Sequence, residues 1–489
     1  MKCLTLFGTT SIQEYIFRSN RLRENIGASR LAWQSMNAWE SDPRRIYVGG
    51  GNAALIFDDP NEAEEATWRW SLDWLSRAPG LQFSAAHVEY PDESLKQHFE
   101  IAIRRLQAHE NSPPFGRESG ALGVIRACTS TGLAASQKRH EVWVSSEIAA
   151  KHDAVDDANE ALRERYRDCL RDGDRIYDFP QKLDDLGIEE GSGQIAIIHA
   201  DGNGIGDILQ HAGASAATDG QFVTAVRDCS ARITRLAFEA FHATLQELTP
   251  RLSAFERDRV LRIKEAGEGT RWYPVRPLVD GGDDLTFVCH GRLALHLATL
   301  YLRNFEKLSR EKFPGDDGLS ACAGVIILPH KFPFARGYEL AEQLTASAKG
   351  ARRQSGRKGS WIDYQILFEG CGPSLDDLRR TFQRFGQNLL RRPYRLGDAE
   401  ADGWDAFEDL CRDFRDWPRS RSKALLQALA RGREATDRLA REFGSRNWNL
   451  PVSRAWEHDN DVWRTRLFDP LEALDFYPQW PTVETEVQL

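Results

Sequence analysis

The 489-residue chain has no apolar run approaching the ~20 residues that cross a bilayer. Its opening stretch, MKCLTLFGTTSIQEY, has one short apolar run and no small-residue cleavage pattern, so the expected address is the cytoplasm, with no membrane partner. Paired cysteines are also missing. The 8 cysteines (Cys3, Cys128, Cys169, Cys229, Cys289, Cys322, Cys371 and Cys411) are scattered and none forms C-x-x-C. That argues against a zinc site and a disulfide framework, and most are expected to be small buried hydrophobes. An excess of positive charge is absent too. Lys and Arg number 64 against 73 Asp and Glu, a formal net charge of -9, which speaks against a bulk nucleic-acid or membrane binder. The remainder, 41% hydrophobic and 28% charged, is ordinary for a globular protein, and the length suggests roughly three domains.

What the chain does have is a Gly281-Gly282-Asp283-Asp284 centre between two apolar runs, residues 273–279 and 285–289. Glycines at a tight turn supply the positive φ that other residues resist, so the pattern reads as a β-hairpin. Asp is also common in turns for local backbone reasons. Two adjacent carboxylates repel, however, and a turn gains nothing from the pair unless a cation lies between them. Upstream, residues 194–200 read as a buried strand that ends in Asp201-Gly202-Asn203-Gly204. If that strand pairs with the hairpin, Asp201, Asp283 and Asp284 converge. Three carboxylates at one point suit hard divalent cations. Two such ions about 3.5–4 Å apart can activate an attacking oxygen and stabilise a leaving one.

The spacing of apolar residues predicts the same order of elements twice. Residues 1–7, 12–39, 45–57, 61–76, 81–89 and 92–109 read as strand, helix, hairpin, helix, strand and helix. Residues 194–200, 221–248, 273–289, 293–308, 319–328, 336–349 and 361–368 read as strand, helix, hairpin, helix, strand, helix and strand. Each copy is a split β-α-β arrangement, an antiparallel sheet with helices on one face. The first copy has Gly49-Gly50-Gly51-Asn52 where the second has the acids, and Gly8-Thr9 where the second has Asp201. Without carboxylates it cannot hold the ions and is expected to complete the site from the opposite side. Pro113, Pro114 and Gly116 mark a loop, residues 147–170 read as a helical link, and 376–390, 403–415 and 421–443 as helices with tryptophans for packing.

These residues carry a resemblance. IAIIHADGNGIGDIL, YPVRPLVDGGDDLTFV, LSACAGVIILPHKFPFARGYELAEQLTASAKG and IQEYIFRSNRLRENIGASRL are similar to the palm-type polymerase/cyclase large subunit of type III CRISPR effector complexes, and distantly to the GGDEF diguanylate cyclases. The resemblance implies an α+β fold of two ferredoxin-like palm domains and a C-terminal helical domain. The expected division is a degenerate first palm over 1–140, a helical linker over 141–190, a second palm with GGDD over 191–369 and the helical domain over 370–489.

It implies a nucleotidyltransferase or cyclase making cyclic or short oligonucleotides from ATP or another NTP, with two Mg²⁺ or Mn²⁺ ions. Asp201, Asp283 and Asp284 would be catalytic and, with the Gly202 carbonyl, metal ligands. Gly202, Asn203, Gly281, Gly282, Lys349, Arg21 and Arg23 would surround the nucleotide, with Arg352 and Arg353 as weaker candidates. Asn203 stands where family members often have an acid. Taken without the resemblance, Lys349 suits a helix C-terminus, and Arg21 and Arg23 suit a solvated helix face. The alternative is a silent nucleotide- or RNA-binding subunit of an RNA-guided complex, with guide or target RNA and other CRISPR-type subunits as partners; the oligomeric state stays open. The family's HD nuclease domain is not expected: the chain starts directly in palm sequence, and His152-Asp153 and His458-Asp459 read as ordinary surface pairs. Cys128 stands alone where the family can carry a cysteine pair.

Overall fold

The structure is a computed structural model. It describes residues 1–92, 94–111, 124–139, 141–187, 193–267, 269–313, 318–368, 374–384, 386–397, 402–459 and 461–483. The expected loop at Pro113, Pro114 and Gly116 lies outside these residues, as does Cys371.

Two antiparallel sheets carry the same strand order. In the first, Arg45–Gly49, Asn52–Phe57, Lys2–Thr10 and Gln82–Tyr90 lie side by side in that order. In the second, the corresponding strands are Val275–Gly281, Asp284–His290, Gln194–Gly202 and Ala321–Pro329. Strand Trp361–Ile366 then adds parallel to the last of these, and Tyr394–Arg395 follows at the edge. Order and direction are those of the ferredoxin-like split β-α-β unit. The fold is thus α+β, two palms with a mainly helical C-terminal region.

The palms share a core. Phe17, Leu22 and Ile26 of the first pack in one apolar cluster with Ile195, Ile197 and Leu344 of the second. Phe17 stacks on Tyr338 with ring centroids 3.8 Å apart. The 30-residue helix Asp219–Leu248 bridges them, packing against strand Arg45–Gly49 and helix Ala294–Lys312. Its Thr218 N-cap accepts a hydrogen bond from the Gln221 N–H, the usual way to satisfy a first-turn donor.

Some expected elements differ. Residues 12–39 form two helices, Ile12–Phe17 and Leu22–Asn37, because Arg21 adopts an extended backbone (φ -103, ψ 117). Residues 421–443 also split, into Arg419–Arg431 and Arg433–Ser445, at Gly432 with φ +104. Residues 376–390 hold only the short helix Leu375–Arg380, followed by strands Gln383–Arg384 and Gln387–Asn388. These strands join Val462–Arg464 and Glu457–Asp459, so the C-terminal region carries a small sheet beside its helices. Trp404 and Trp456 are buried in packing. Among the described residues no helix is long and apolar enough to cross a membrane.

Candidate active site

Strand Gln194–Gly202 lies between strands Asp284–His290 and Ala321–Pro329, with Ala200 opposite Leu285 and Asp201 opposite Cys322. In the hairpin, Gly281 pairs with Asp284, leaving Gly282 and Asp283 as the turn, with Gly282 at φ +70. This register carries both hairpin acids to the end of the central strand. One oxygen each from Asp201, Asp283 and Asp284 lies within 4.8 Å of the other two. Gly202 permits that approach: a Cβ there would lie 2.6 Å from Ile205 Cγ1 and 3.2 Å from Asp283 Cβ.

Crowding the acids leaves an electrostatic mark. Burial and the Asp201 carboxylate push Asp283 up to about 6. Burial, then Asp201 and Asp283, push Asp284 well above the usual carboxylate range. Lys349 works against both shifts. It ends its reach on the triad itself: its ammonium forms an ion pair with Asp201 Oδ2 and lies 3.4 Å from the Gly202 carbonyl oxygen. Asn203 is held away from the triad. Its Nδ2 donates to Ser320 Oγ at 3.0 Å, and Cys322 Sγ donates to its Oδ1 at 3.2 Å. Three converging carboxylates form a hard, anionic donor set, which fits a divalent cation that prefers oxygen ligands.

Between the palms lies a cavity of about 1040 Å³, with Asp284, Gly281 and Gly282 on one wall and Gly49, Gly50 and Gly51 on another. Asp201, Asp283 and Lys349 stand outside its lining, so the triad sits at its margin with Asp284 facing in. The hairpin tips touch: a Cβ on Gly282 would lie 2.9 Å from both Gly50 Cα and Gly50 N. Matching registers makes the palms directly comparable. Gly49 pairs with Asn52 as Gly281 pairs with Asp284, and Phe7 lies opposite Ala53 as Ala200 lies opposite Leu285. Gly8, Gly51 and Asn52 therefore occupy the positions of Asp201, Asp283 and Asp284.

The bridging helix contributes a polar wall of Arg227, Ser230, Thr234 and Arg235. The spacing of these residues puts them on one helical face. Arg227 is engaged, donating to the Ile46 carbonyl at 3.3 Å. Arg235 is exposed, and among the described residues it has no ion-pair partner. Arg165 also lines the cavity and pairs with Asp280 at 2.8 Å, tying the hairpin to the linker helix Val155–Arg165.

Arg21 and Arg23 are not brought to the cavity. Both are exposed, and Arg21 lies 3.6 Å from Glu24. Arg18 lines the cavity instead, closing helix Ile12–Phe17 with its N–H donated to the Glu14 carbonyl. His152 is likewise no ordinary surface residue: its Nε2 lies 3.3 Å from the carboxylate of fully buried Glu24. The sequence offered a signal for the bridging-helix wall, the small and basic residues recurring every three to four positions, and no signal for the Glu24–His152 contact across the fold.

Residues 194–357 match the family Cas10/Cmr2, second palm domain. No curated protein matches. Among solved structures, the Csm1-Csm4 cassette in complex with cA4 is 12% identical at a TM-score of 0.47, over 97% of this chain and 69% of that one. The cassette with AMPPNP is 13% identical at 0.47, over 97% and 69%. The cassette with one ATP is 11% identical at 0.47, over 98% and 70%.

Proposed function

Starting from residues 194–357 as a second palm domain of the Cas10/Cmr2 kind, we propose that this chain is a metal-dependent nucleotidyltransferase. It joins nucleoside triphosphates, with ATP the first candidate, into cyclic or short oligonucleotides that serve as second messengers in a CRISPR type III-like defence. The observation that carries the reading is the convergence of Asp201, Asp283 and Asp284 within 4.8 Å at the margin of a cavity faced by an acid-free second hairpin.

Asp201, Asp283, Asp284 and the Gly202 carbonyl would hold two divalent cations. When bound, such ions act as Lewis acids on phosphoryl oxygens and lower the pKa of an attacking hydroxyl. The chain does the rest by positioning. Gly281 and Gly282 keep side chains away from the backbone where phosphates approach. The cavity, about 1040 Å³, exceeds what one small ligand needs and has room for two nucleotides. Asp284 would face one of them, and the tip Gly49–Gly51 with the wall Arg227, Ser230, Thr234 and Arg235, which line the same cavity, would face the other. Lys349 neutralises phosphate charge. Held in line, a 3′-hydroxyl releases its proton to solvent as its oxygen bonds to the α-phosphorus of the neighbouring nucleotide, the bond from that phosphorus to the α,β-bridging oxygen breaks, and pyrophosphate leaves.

The test is incubation of the pure chain with Mg²⁺ or Mn²⁺ and each NTP, with and without RNA, read by pyrophosphate release and product mass spectrometry. Product that disappears in Asp283→Ala supports the reading. Nucleotide binding by calorimetry without pyrophosphate under every condition overturns it and leaves a silent nucleotide-binding subunit, in which Asp283→Ala changes only affinity.

A further inference from the structure

Helix Leu95–Glu110 follows strand Gln82–Tyr90 in the first palm as helix Phe334–Ser355 follows strand Ala321–Pro329 in the second. Each helix sends a charged side chain to the end of its palm's central strand. In the second palm it is Lys349, paired with Asp201. In the first it is Glu110: a Cβ on Gly8, the counterpart of Asp201, would lie 2.6 Å from Glu110 Oε1 and 3.2 Å from Asn52 Oδ1. The charge that the helix brings is thus inverted between the palms. Glu110 is also costly where it stands. It closes its helix, where the macrodipole disfavours an anion. It is half-buried, and among the described residues its carboxylate has neither an ion-pair nor a hydrogen-bond partner. Burial pushes its carboxyl up, with no cation to draw it back. Its field reaches the cavity: burial, and then the Glu110 charge, push the cavity-lining Tyr47 up to about 12. The stability of the fold gives no reason for such an acid, which points to a role in what the cavity binds.

We propose that Glu110 is a specificity-determining residue that keeps triphosphates out of the first palm, so that the position there takes the 3′-terminal nucleotide of a growing oligonucleotide in preference to a free NTP. The inference rests on the nucleotide reading given above. By the match between the two tips, a nucleotide seated in the first palm brings its 5′ side to Gly8, Gly51 and Asn52, beside Glu110. A free NTP carries a chain of charged phosphates there, whereas the last nucleotide of an oligonucleotide carries one phosphodiester. Repulsion grows with the charge the ligand brings, so the same carboxylate rejects the first far more than the second. The 3′-hydroxyl is neutral and is not disfavoured. The second palm, with a lysine in the matching place, has no such repulsion. The two positions are thereby unequal: one receives the triphosphate that is cleaved, the other the chain that is lengthened.

The experiment is calorimetry of the full chain at pH 7.5 in saturating Mg²⁺, with α,β-methylene-ATP as a non-reacting triphosphate and the dinucleotide ApA as the chain end. The wild type is expected to bind the triphosphate probe at one strong and one weak position. Glu110→Gln tightens the weak position about tenfold, the scale of removing one adjacent like charge, and Glu110→Lys tightens it further. Both side chains suit a helix C-terminus, so the variants keep the fold. The strong position is unchanged, and ApA affinity moves by less than about threefold, so the preference for ApA over the probe at the weak position falls in both variants. The same weak-position affinity in wild type and both variants overturns the proposal and leaves the nucleotide reading intact. Weaker probe binding in Glu110→Gln overturns it as well, because that is the sign of a carboxylate holding a cation for the phosphates. Equal gains for ApA and the probe overturn it too, since they mark a change of shape and not discrimination by charge. If the probe binds at neither position in any of the three chains, the nucleotide reading falls and takes this inference with it.

Discussion

Neutralising one acid of the triad should make the metal-free protein more stable. Asp283 titrates at about 6 in the fold against 3.8 for an unperturbed side chain, raised by burial and by Asp201. At 1.36 kcal/mol per pH unit, holding it ionised costs the native state about 3 kcal/mol. The folded chain keeps its proton up to about pH 6, whereas the unfolded chain releases it near 4. Stability therefore falls as pH rises from about 4 to about 6, and the full penalty stands above pH 7. Asp283→Asn removes it. In EDTA at pH 7.5 the variant should be more stable by up to about 3 kcal/mol, shrinking towards zero near pH 4. Saturating Mg²⁺ reverses the order, because a ligand that binds only the folded wild type stabilises only the wild type. The assay is urea unfolding followed by tryptophan fluorescence in both buffers across this pH range. A variant less stable than wild type in EDTA at pH 7.5 would refute the electrostatic account of the triad.

Mn²⁺ affinity should rise as pH increases through about 6, because Asp283 must lose its proton to bind metal; a flat profile between pH 5 and 7.5 would place the metal elsewhere. Gly282→Ala should cut nucleotide affinity and product at least about tenfold, since the new Cβ meets the Gly50 backbone at a residue already at φ +70. Gly281→Ala, with open space and no positive φ, should leave stability unchanged and affect only nucleotide binding, whereas Gly282→Ala should also lower stability; equal loss of stability in both would falsify this reading of the tips. Arg392 is fully buried, 2.7 Å from Glu472 and 3.7 Å from Asp469, with its guanidinium over the Tyr364 ring. Arg392→Met strands buried Glu472, while Asp469 keeps the Arg391 and Arg392 N–H groups and the Tyr394 hydroxyl, and should cost about 3 kcal/mol in denaturant unfolding.

The triad could be read from the sequence because its geometry is local in origin. A glycine turn fixes the hairpin, the alternation of a buried strand fixes which residue ends it, and pairing the two leaves Asp201 beside Asp283 and Asp284. The duplication was readable for the same reason, since each copy repeats the strand, helix and hairpin periods. What stayed hidden depended on phase and on contacts across the fold. A single extended residue at Arg21 turns Arg21 and Arg23 outward and leaves Arg18 on the cavity, a shift that apolar spacing does not record. The pairing of buried Glu24 with His152, 128 positions apart, depends on how the linker helix docks. The resemblance marks Lys349 as a phosphate ligand, but its ion pair with Asp201 needs two elements 148 residues apart to meet.

The loss of acids from the first palm has a structural counterpart in the contact between the tips. Gly282 approaches Gly50 so closely that a Cβ on Gly282 would meet the Gly50 backbone, whereas one on Gly50 would point into open space. Carboxylates at Gly8, Gly51 and Asn52 would duplicate the second palm's cluster next to a cluster already strained enough to raise Asp283 and Asp284. Such a chain would need a second set of cations merely to close the cavity. Substituting glycines and an amide at those positions removes that demand and keeps the backbone donors of the first tip. One copy can then concentrate charge while the other presents polar backbone and the hydroxyl-bearing wall of the bridging helix. On this argument, restoring an acid to the first palm where no new atom is forced in, Asn52→Asp, should weaken the packing of the two palms in EDTA. Added Mg²⁺ should recover part of that loss. Hydrogen exchange at strand Asn52–Phe57 and along helix Asp219–Leu248 would report it, and unchanged protection in EDTA would count against electrostatic crowding as the reason for the asymmetry.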